Sequence, residues 1–172
     1  MSTTLYQVGG QTVDKAEVTA PADRRFRAAW QLDGSVITID PDAAAEIAND
    51  VRLRWWAHQE QQPFEYDDGG GAAQFQSDRD SADRIQGAIK MAELVEAAAP
   101  GSFSIDWVDL ANVTHTLDFA GIQGLFLALA THTATCFAAS QTKKAEIEAA
   151  RVADDVDELD SLIDGMEADM AA

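Results

Sequence analysis

Several places in the sequence bring together side chains whose types and spacing could do chemistry. His132 and Cys136 stand four residues apart on a segment with helical spacing, so both face one side and could share a metal ion. A closed zinc site takes four ligands and a catalytic one typically three, and no second Cys or close His follows. The pair therefore reads as a buried thiol with a neighbouring histidine on a core helix. His115 lies between Thr114 and Thr116 on an expected strand, with many aspartates in the chain around it. A nucleophile–His–Asp set assembles in space rather than in sequence, but no Gly-x-Ser-x-Gly elbow is present, and a structural histidine is the expectation.

Gly69-Gly70-Gly71 could suggest a phosphate cradle, yet Asp67-Asp68 precede it and no Gly-Lys-Ser/Thr follows, so it reads as a turn. Asp78-Arg79-Asp80 has alternate carboxylates like the start of a calcium loop. It lacks the glycine and the later bidentate glutamate, and helix capping explains it better. These residues lead us to expect no enzyme: no catalytic residues, no bound cofactor and no metal.

Interaction signals are of a different kind. Arg24, Arg25 and Arg27, next to Phe26 and Trp30, form the one basic cluster. The whole chain carries 12 Lys+Arg against 30 Asp+Glu, a net charge of −18. Such a surface repels phosphates and anionic membranes, so neither nucleic acid nor membrane is expected as a partner. The cluster is left to pair with acidic groups of a neighbouring subunit, to meet the chain's own acidic tail, or to stay solvated. Trp55-Trp56 puts two aromatics on adjacent helix faces, about 100° apart, so one of them points away from any single core. Aromatics are enriched in interface cores, which makes Trp55 and Trp56 interface candidates.

The elements that must position these groups follow from capping and periodicity. With 47% apolar residues, including four Trp and seven Phe, a core can be buried. Leu5 to Ala20, broken by Gly9-Gly10, reads as an extended arm with a possible strand. Asp33-Gly34 is a turn signal ahead of the alternating strand Ser35–Ile39. Asp40 caps a helix whose first residue is Pro41, where a missing N–H costs nothing, and Ile47, Val51 and Trp55 make its stripe until Pro63 closes it.

Phe64–Tyr66 and Ala73–Phe75 flank the glycines as a β-hairpin. Ser77 or Asp78 caps a helix to about Ala99, ended by Pro100-Gly101. Phe103–Trp107 and Val113–Leu117 suggest a second hairpin around Asp109 to Asn112. Asp118 caps the longest helix. Its run Phe119–Ala139 lacks charge, but Gln123, His132 and several Thr leave it too weakly hydrophobic for a membrane span, so it reads as a buried helix. Ile85, Ile89, Trp107, Ile122, Leu125, Phe126 and Leu129 are the expected shared core.

No proline stops that last helix, so it is expected to run through Lys143-Lys144 into the acidic tail. There Ala145, Ala149, Val152, Val156, Leu159, Ile163, Met166 and Met170 alternate spacings of 4 and 3, the seam of a coiled coil. Val152, Val156, Leu159, Ile163 and Met166 are thus further interface candidates. Two outcomes are open: the seam self-associates, or the helix lies on its own domain. Cys136 is the only cysteine, so no intrachain disulfide forms. Met1-Ser-Thr-Thr opens a polar stretch, and a secretory leader is not expected.

From Pro63 to about Ala150 the chain resembles an uncharacterised domain family encoded in the tail-fibre and tail-fibre-assembly regions of tailed bacteriophages and prophages. The features that carry the resemblance are Phe64-Glu65-Tyr66, Phe75-Gln76-Ser77-Asp78, Ser81 and Arg84-Ile85-Gln86-Gly87-Ala88. Trp107-Val108-Asp109-Leu110-Ala111-Asn112-Val113-Thr114 follows, then a long helix with Ala138-Ala139-Ser140 and Lys143. The stretch Asp23 to Asp40 is similar to one often met in phage tail proteins.

The resemblance implies a setting, phage tail assembly, and no activity. It points to a structural component of a tail or tail fibre, assembled in the host cytoplasm and retained in the virion. The partners would be other tail proteins and further copies of itself; the alternative is an assembly chaperone that leaves. The expected fold class is α+β: a small antiparallel sheet of two β-hairpins packed by two or three helices, with a long C-terminal helix. The expected divisions are an extended arm (1–20), a strand-plus-helix layer (21–62), an α+β domain (63–150) and an acidic helical tail (151–172).

Overall fold

The computed structural model describes residues 5–22 and 24–172; Met1 to Thr4, the polar opening considered above, and Asp23 lie outside the described residues. The fold is α+β, with four two-stranded antiparallel sheets and four α-helices among the described residues. In chain order these are β1 (Leu5–Val8), β2 (Gln11–Asp14), β3 (Trp30–Asp33), β4 (Val36–Ile39), α1 (Pro41–Glu60), β5 (Phe64–Asp67) and β6 (Ala72–Phe75). They continue with α2 (Arg79–Ala98), β7 (Ile105–Val108), β8 (Thr114–Leu117), α3 (Phe119–Val152) and α4 (Val156–Ala171). The chain divides into two compact units: 1–55 with 140–172, and 56–139. The divisions fall inside α1 and α3, because each helix is long enough to give one end to one core and one end to the other. The divisions read from the sequence lie elsewhere, at 62/63 and 150/151.

In unit 1 the expected extended arm is a hairpin. Gly9 and Gly10 both have positive φ (54° and 80°), as a two-residue turn between twisted strands needs. The pairing β1–β2 then sends Tyr6 and Val8 to one face, where they are buried with Trp30 and Ile37 of β3–β4. Asp40 caps α1 through Oδ1, which accepts the N–H of Asp42 at 3.0 Å. The α1 stripe is Ala44, Ala45, Ala48, Val51 and Trp55, more alanine-rich than the expected Ile47–Val51–Trp55 line.

The expected continuous helix into the tail is interrupted. Asp154 has φ +54°, the N–H of Asp155 bonds Ala150 O at 2.9 Å, and that of Asp154 bonds Arg151 O at 3.1 Å. This pair of bonds is the Schellman ending, and an aspartate tolerates the left-handed conformation that glycine usually supplies. Asp155 then caps α4, its Oδ1 accepting the N–H of Glu158 at 3.0 Å. Two adjacent aspartates thus stop one helix and start the next with no proline or glycine.

Unit 2 contains the two expected hairpins, β5–β6 and β7–β8. Each is a separate ladder, and a single backbone bond, Leu110 N–H to Gln74 O at 2.9 Å, joins one to the other. Asp78 caps α2, accepting the N–H of Ser81 at 3.0 Å while Ser81 Oγ donates back at 2.7 Å. Asp118 caps α3 through the N–H of Gly121 at 2.8 Å. The core is Phe64, Phe75, Ile85, Ala88, Ala92, Phe103, Leu117, Ile122, Leu125 and Leu129, with Ile89 and Trp107 partly buried against it. Phe126, expected in this core, is exposed, because the stripe that faces inward is Ile122–Leu125–Leu129 and Phe126 falls about 100° away from Leu125.

Candidate functional site

A concavity of unit 2 lies among the end of α1, the start of α2 and the middle of α3. It is an apolar groove of about 780 Å³ with Trp56, Phe126, Leu129 and Phe137 on its walls and Glu60, Arg79 and Gln86 among its polar residues. Trp56 meets Phe137 edge to face, with ring centroids 5.9 Å apart. Its indole Nε1 is buried with no hydrogen-bond partner. One wall is held by Ser77, whose Oγ lies 2.7 Å from Glu60 O and 2.6 Å from Gln62 O and donates its one proton to either. Such a lining can take up apolar side chains; it offers no paired acid and base. Of the adjacent tryptophans, Trp56 lines this groove, whereas Trp55 is buried in unit 1.

His115 bridges two carboxylates. Its Nδ1 lies 2.8 Å from Asp68 Oδ2, in the β5–β6 turn, and its Nε2 lies 3.2 Å from Asp109 Oδ2, at the end of β7–β8. Hydrogen bonding to Asp68, then to Asp109, raises the histidine above its ordinary pKa. Asp68 is lowered chiefly by its bond to His115, and Asp109 chiefly by the N–H of Val113. A neutral imidazole has one N–H, so both bonds exist only in the imidazolium. With both nitrogens engaged, the ring is a clamp between hairpins, and neither nitrogen is free to act as a base. Cys136 Sγ lies 3.7 Å from His132 Nε2, but burial, then Glu60, pushes the thiol up, the opposite of what a nucleophile needs. Among the described residues no group of three or more His, Cys, Asp or Glu is placed to hold a metal ion.

In unit 1 the basic cluster separates. Arg25 reaches the acidic tail, with Nη1 2.5 Å from Asp160 and Nη2 2.6 Å from Asp164 and 3.4 Å from Glu167. Arg24 and Arg27 stay exposed, with their guanidinium groups over the ring of Tyr6 at 5.7 and 5.8 Å. Trp30, a candidate with the cluster for contact with another chain or the acidic tail, is buried against Tyr6, its ring edge-on at 5.4 Å, because β1–β2 covers it. Trp55 is likewise buried and donates Nε1–H to Asp169 Oδ2 at 3.1 Å.

Of the two outcomes open for the tail, the structure shows the helix lying within its own unit. Leu159, Ile163 and Met166 are fully buried and Val156 partly, while Val152, cut off by the Schellman turn, is 68% exposed. Arg52 gave no sequence signal. It is buried, donating Nε–H to Asn49 Oδ1 at 3.1 Å and Nη1–H to Ser140 Oγ at 2.5 Å.

The family model described as a domain of unknown function (DUF4376) matches residues 52–161. That is well over half of the chain. The protein belongs to this family. Comparison with curated proteins and with solved structures gave no match. The DUF4376 segment opens at Arg52, contains the whole of unit 2, and closes at Ser161 inside α4. It therefore includes the groove, the His115 clamp, the Arg52–Ser140 bond and the Schellman turn. The hairpins β1–β2 and β3–β4 and the basic cluster lie before it.

Within the DUF4376 segment, α3 departs most from the sequence reading. It was expected to be buried, yet its most apolar 18-residue window is only 22% buried. Among the described residues it is the one helix that length and composition would allow to cross a membrane. Leu127 is 66% exposed and Phe137 49%. A bare count of apolar residues cannot separate a helix buried on one side from one buried all round; the Thr and Ala at positions 130, 131, 133, 134 and 135 were the available signal.

Proposed function

We propose that this protein is a non-enzymatic component of a bacteriophage tail or tail fibre and acts by protein–protein binding. The observation that carries the binding role is the apolar groove of unit 2, with Phe126 and Phe137 exposed on its walls and Leu127 exposed next to Phe126 on α3, on a chain of net charge −18. Exposed apolar surface in a highly charged protein marks a place where something docks. The phage setting is supported by the sequence features from Phe64 to Lys143 that resemble domains encoded in tail-fibre regions. On this reading the protein meets other tail proteins in the host cytoplasm and stays in the virion.

Mass spectrometry of purified particles from the encoding phage or induced prophage tests it. Stoichiometric presence in particles supports a virion component. Presence in the infected-cell lysate alone, with fibres assembled, replaces it by a fibre-assembly chaperone that uses the same groove and leaves. Normal tail assembly without the protein would overturn both.

A further inference from the structure

We infer that the outer face of α3 is a self-association surface and that its occupant is α3 of a second copy of this chain. Ala120, Gln123, Leu127, Ala130, Ala134 and Phe137 follow one another at spacings of 3, 4, 3, 4 and 3, and every one of them is exposed. That is the a/d repeat of a helix–helix seam; it is turned away from the Ile122–Leu125 side that unit 2 buries, and its Ala130, Ala134 and Phe137 also line the apolar groove. The coiled-coil signal of the chain thus has a second carrier, distinct from the tail seam that is folded away in unit 1.

The flanks are as informative as the seam. Phe126 and Thr133 precede the a positions Leu127 and Ala134, and Thr131 and Ala138 follow the d positions Ala130 and Phe137. These are the places where ion pairs select a partner in a coiled coil, and here none is charged. The threonine hydroxyls are also spent internally. Thr131 Oγ1 donates to Leu127 O at 2.8 Å and Thr135 Oγ1 to Thr131 O at 2.9 Å, so these two hydroxyl protons need no acceptor outside the helix.

Charge decides between occupants. From Phe119 to Thr142 there is no Asp, Glu, Lys or Arg, although the chain as a whole carries −18. A basic partner would be recognised by unpaired carboxylates; the seam itself carries none, and those at its borders, Glu60 and Glu93, share their concavities with the cations Arg79 and Lys90. Two copies repel each other over most of their surfaces, and the repulsion is least where both are uncharged. The small residues Ala130 and Ala134 let two helix backbones approach closely, with Leu127 and Phe137 packing at either side.

The area sets the strength. Eighteen helical residues span about 27 Å, and an uncharged arc of about half the cylinder gives on the order of 450 Å² per copy. This is below the ~800 Å² per partner of a standard stable interface, so association should be weak and concentration-dependent. The inference gives the Ala130–Phe137 wall of the groove an occupant of its own; a chain that stays monomeric would sink it and leave the groove to another tail protein.

The test is sedimentation equilibrium of the full chain from about 5 to about 500 µM, the range in which an interface below standard size associates. The expected result is a mass of 18.5 kDa at the dilute end rising toward double that value. Leu127→Glu with Ala134→Glu, both at exposed positions, should hold the mass at the monomer value while the unfolding midpoint stays put. Leu94→Glu, exposed on α2 and no member of the seam, should associate like the parent chain. A monomer throughout the range, or association that survives the double substitution, overturns the proposal. So does a chain that remains monomeric in solution but floats with neutral phosphatidylcholine vesicles, which would assign the face to lipid.

Discussion

Trp55 and Asp169, 114 residues apart, are joined by a 3.1 Å hydrogen bond from the indole Nε1–H to the carboxylate. The bond ties α1 to α4 inside unit 1 and explains why an acidic tail helix with an apolar stripe is not a free arm. If α4 is a core helix, its seam residues should differ sharply in worth. Ile163→Ala should cost roughly 2–5 kcal/mol, as for a fully buried aliphatic residue, whereas Val152→Ala should stay within about 0.5 kcal/mol. Denaturant titration of the two variants gives the comparison. Equal losses would mean that both residues sit on one continuous seam.

The His115 clamp makes unit 2 sensitive to pH from both sides. The histidine is raised in the folded state, so its contribution is complete below about pH 6.5 and is lost as pH rises through the folded value. Asp68 and Asp109 are lowered, so their contributions are present above about pH 4 and are lost as pH falls below it. Unfolding midpoints should therefore be highest between those limits and decline from pH 6.5 toward 9. His115→Gln should flatten the alkaline decline. A parent midpoint that does not fall between pH 6.5 and 9 would show that the two carboxylates do not hold an imidazolium.

Two helical glycines should respond to alanine with opposite signs. A Cβ on Gly124 would lie 2.6 Å from the hydroxyl oxygen of Tyr66 and 2.8 Å from its ring, while that hydroxyl donates to Gly121 O at 2.9 Å. Gly124→Ala must displace the ring and break the bond, at a cost of about 1–3 kcal/mol. Gly87 on α2 has nothing within 4 Å of the same position, and Gly87→Ala should stabilise by about 0.5–1 kcal/mol. Thermal denaturation of the pair reads the sign directly.

Arg25 should matter modestly and in a salt-dependent way. It gathers three tail carboxylates, but Asp164 and Glu167 are largely exposed, which screens their share. Arg25→Ala should cost about 1 kcal/mol at low ionic strength and less in 1 M NaCl. A loss unchanged by salt would assign the effect to packing of the side-chain stem.

Local chemistry made much of this fold legible. Asp40, Asp78 and Asp118 cap the helices they were expected to cap, and the glycines of the β5–β6 turn sit where a turn was read. What escaped depended on neighbours far along the chain. Trp30 reads as an interface residue until Tyr6, 24 positions earlier, covers it. Asp154 carries no helix-stop signal because aspartate rarely takes the left-handed conformation, and only the bonds to Ala150 and Arg151 reveal it. The clamp at His115 needed Asp68, 47 residues away, and no spacing rule reaches that far.

The division of the chain also sets an order of events during synthesis. Unit 2 is one uninterrupted stretch, so it can close as soon as Ala139 has left the ribosome. Unit 1 cannot: its first 55 residues, with the apolar faces of Tyr6, Trp30 and Trp55, must wait until 84 further residues have emerged. Ile147, Leu159, Ile163 and Met166 arrive last and complete that core. A message truncated just after the Schellman turn would thus yield a finished unit 2 attached to an uncovered amino-terminal half. Such a nascent product would be prone to aggregation and to capture by cellular quality control.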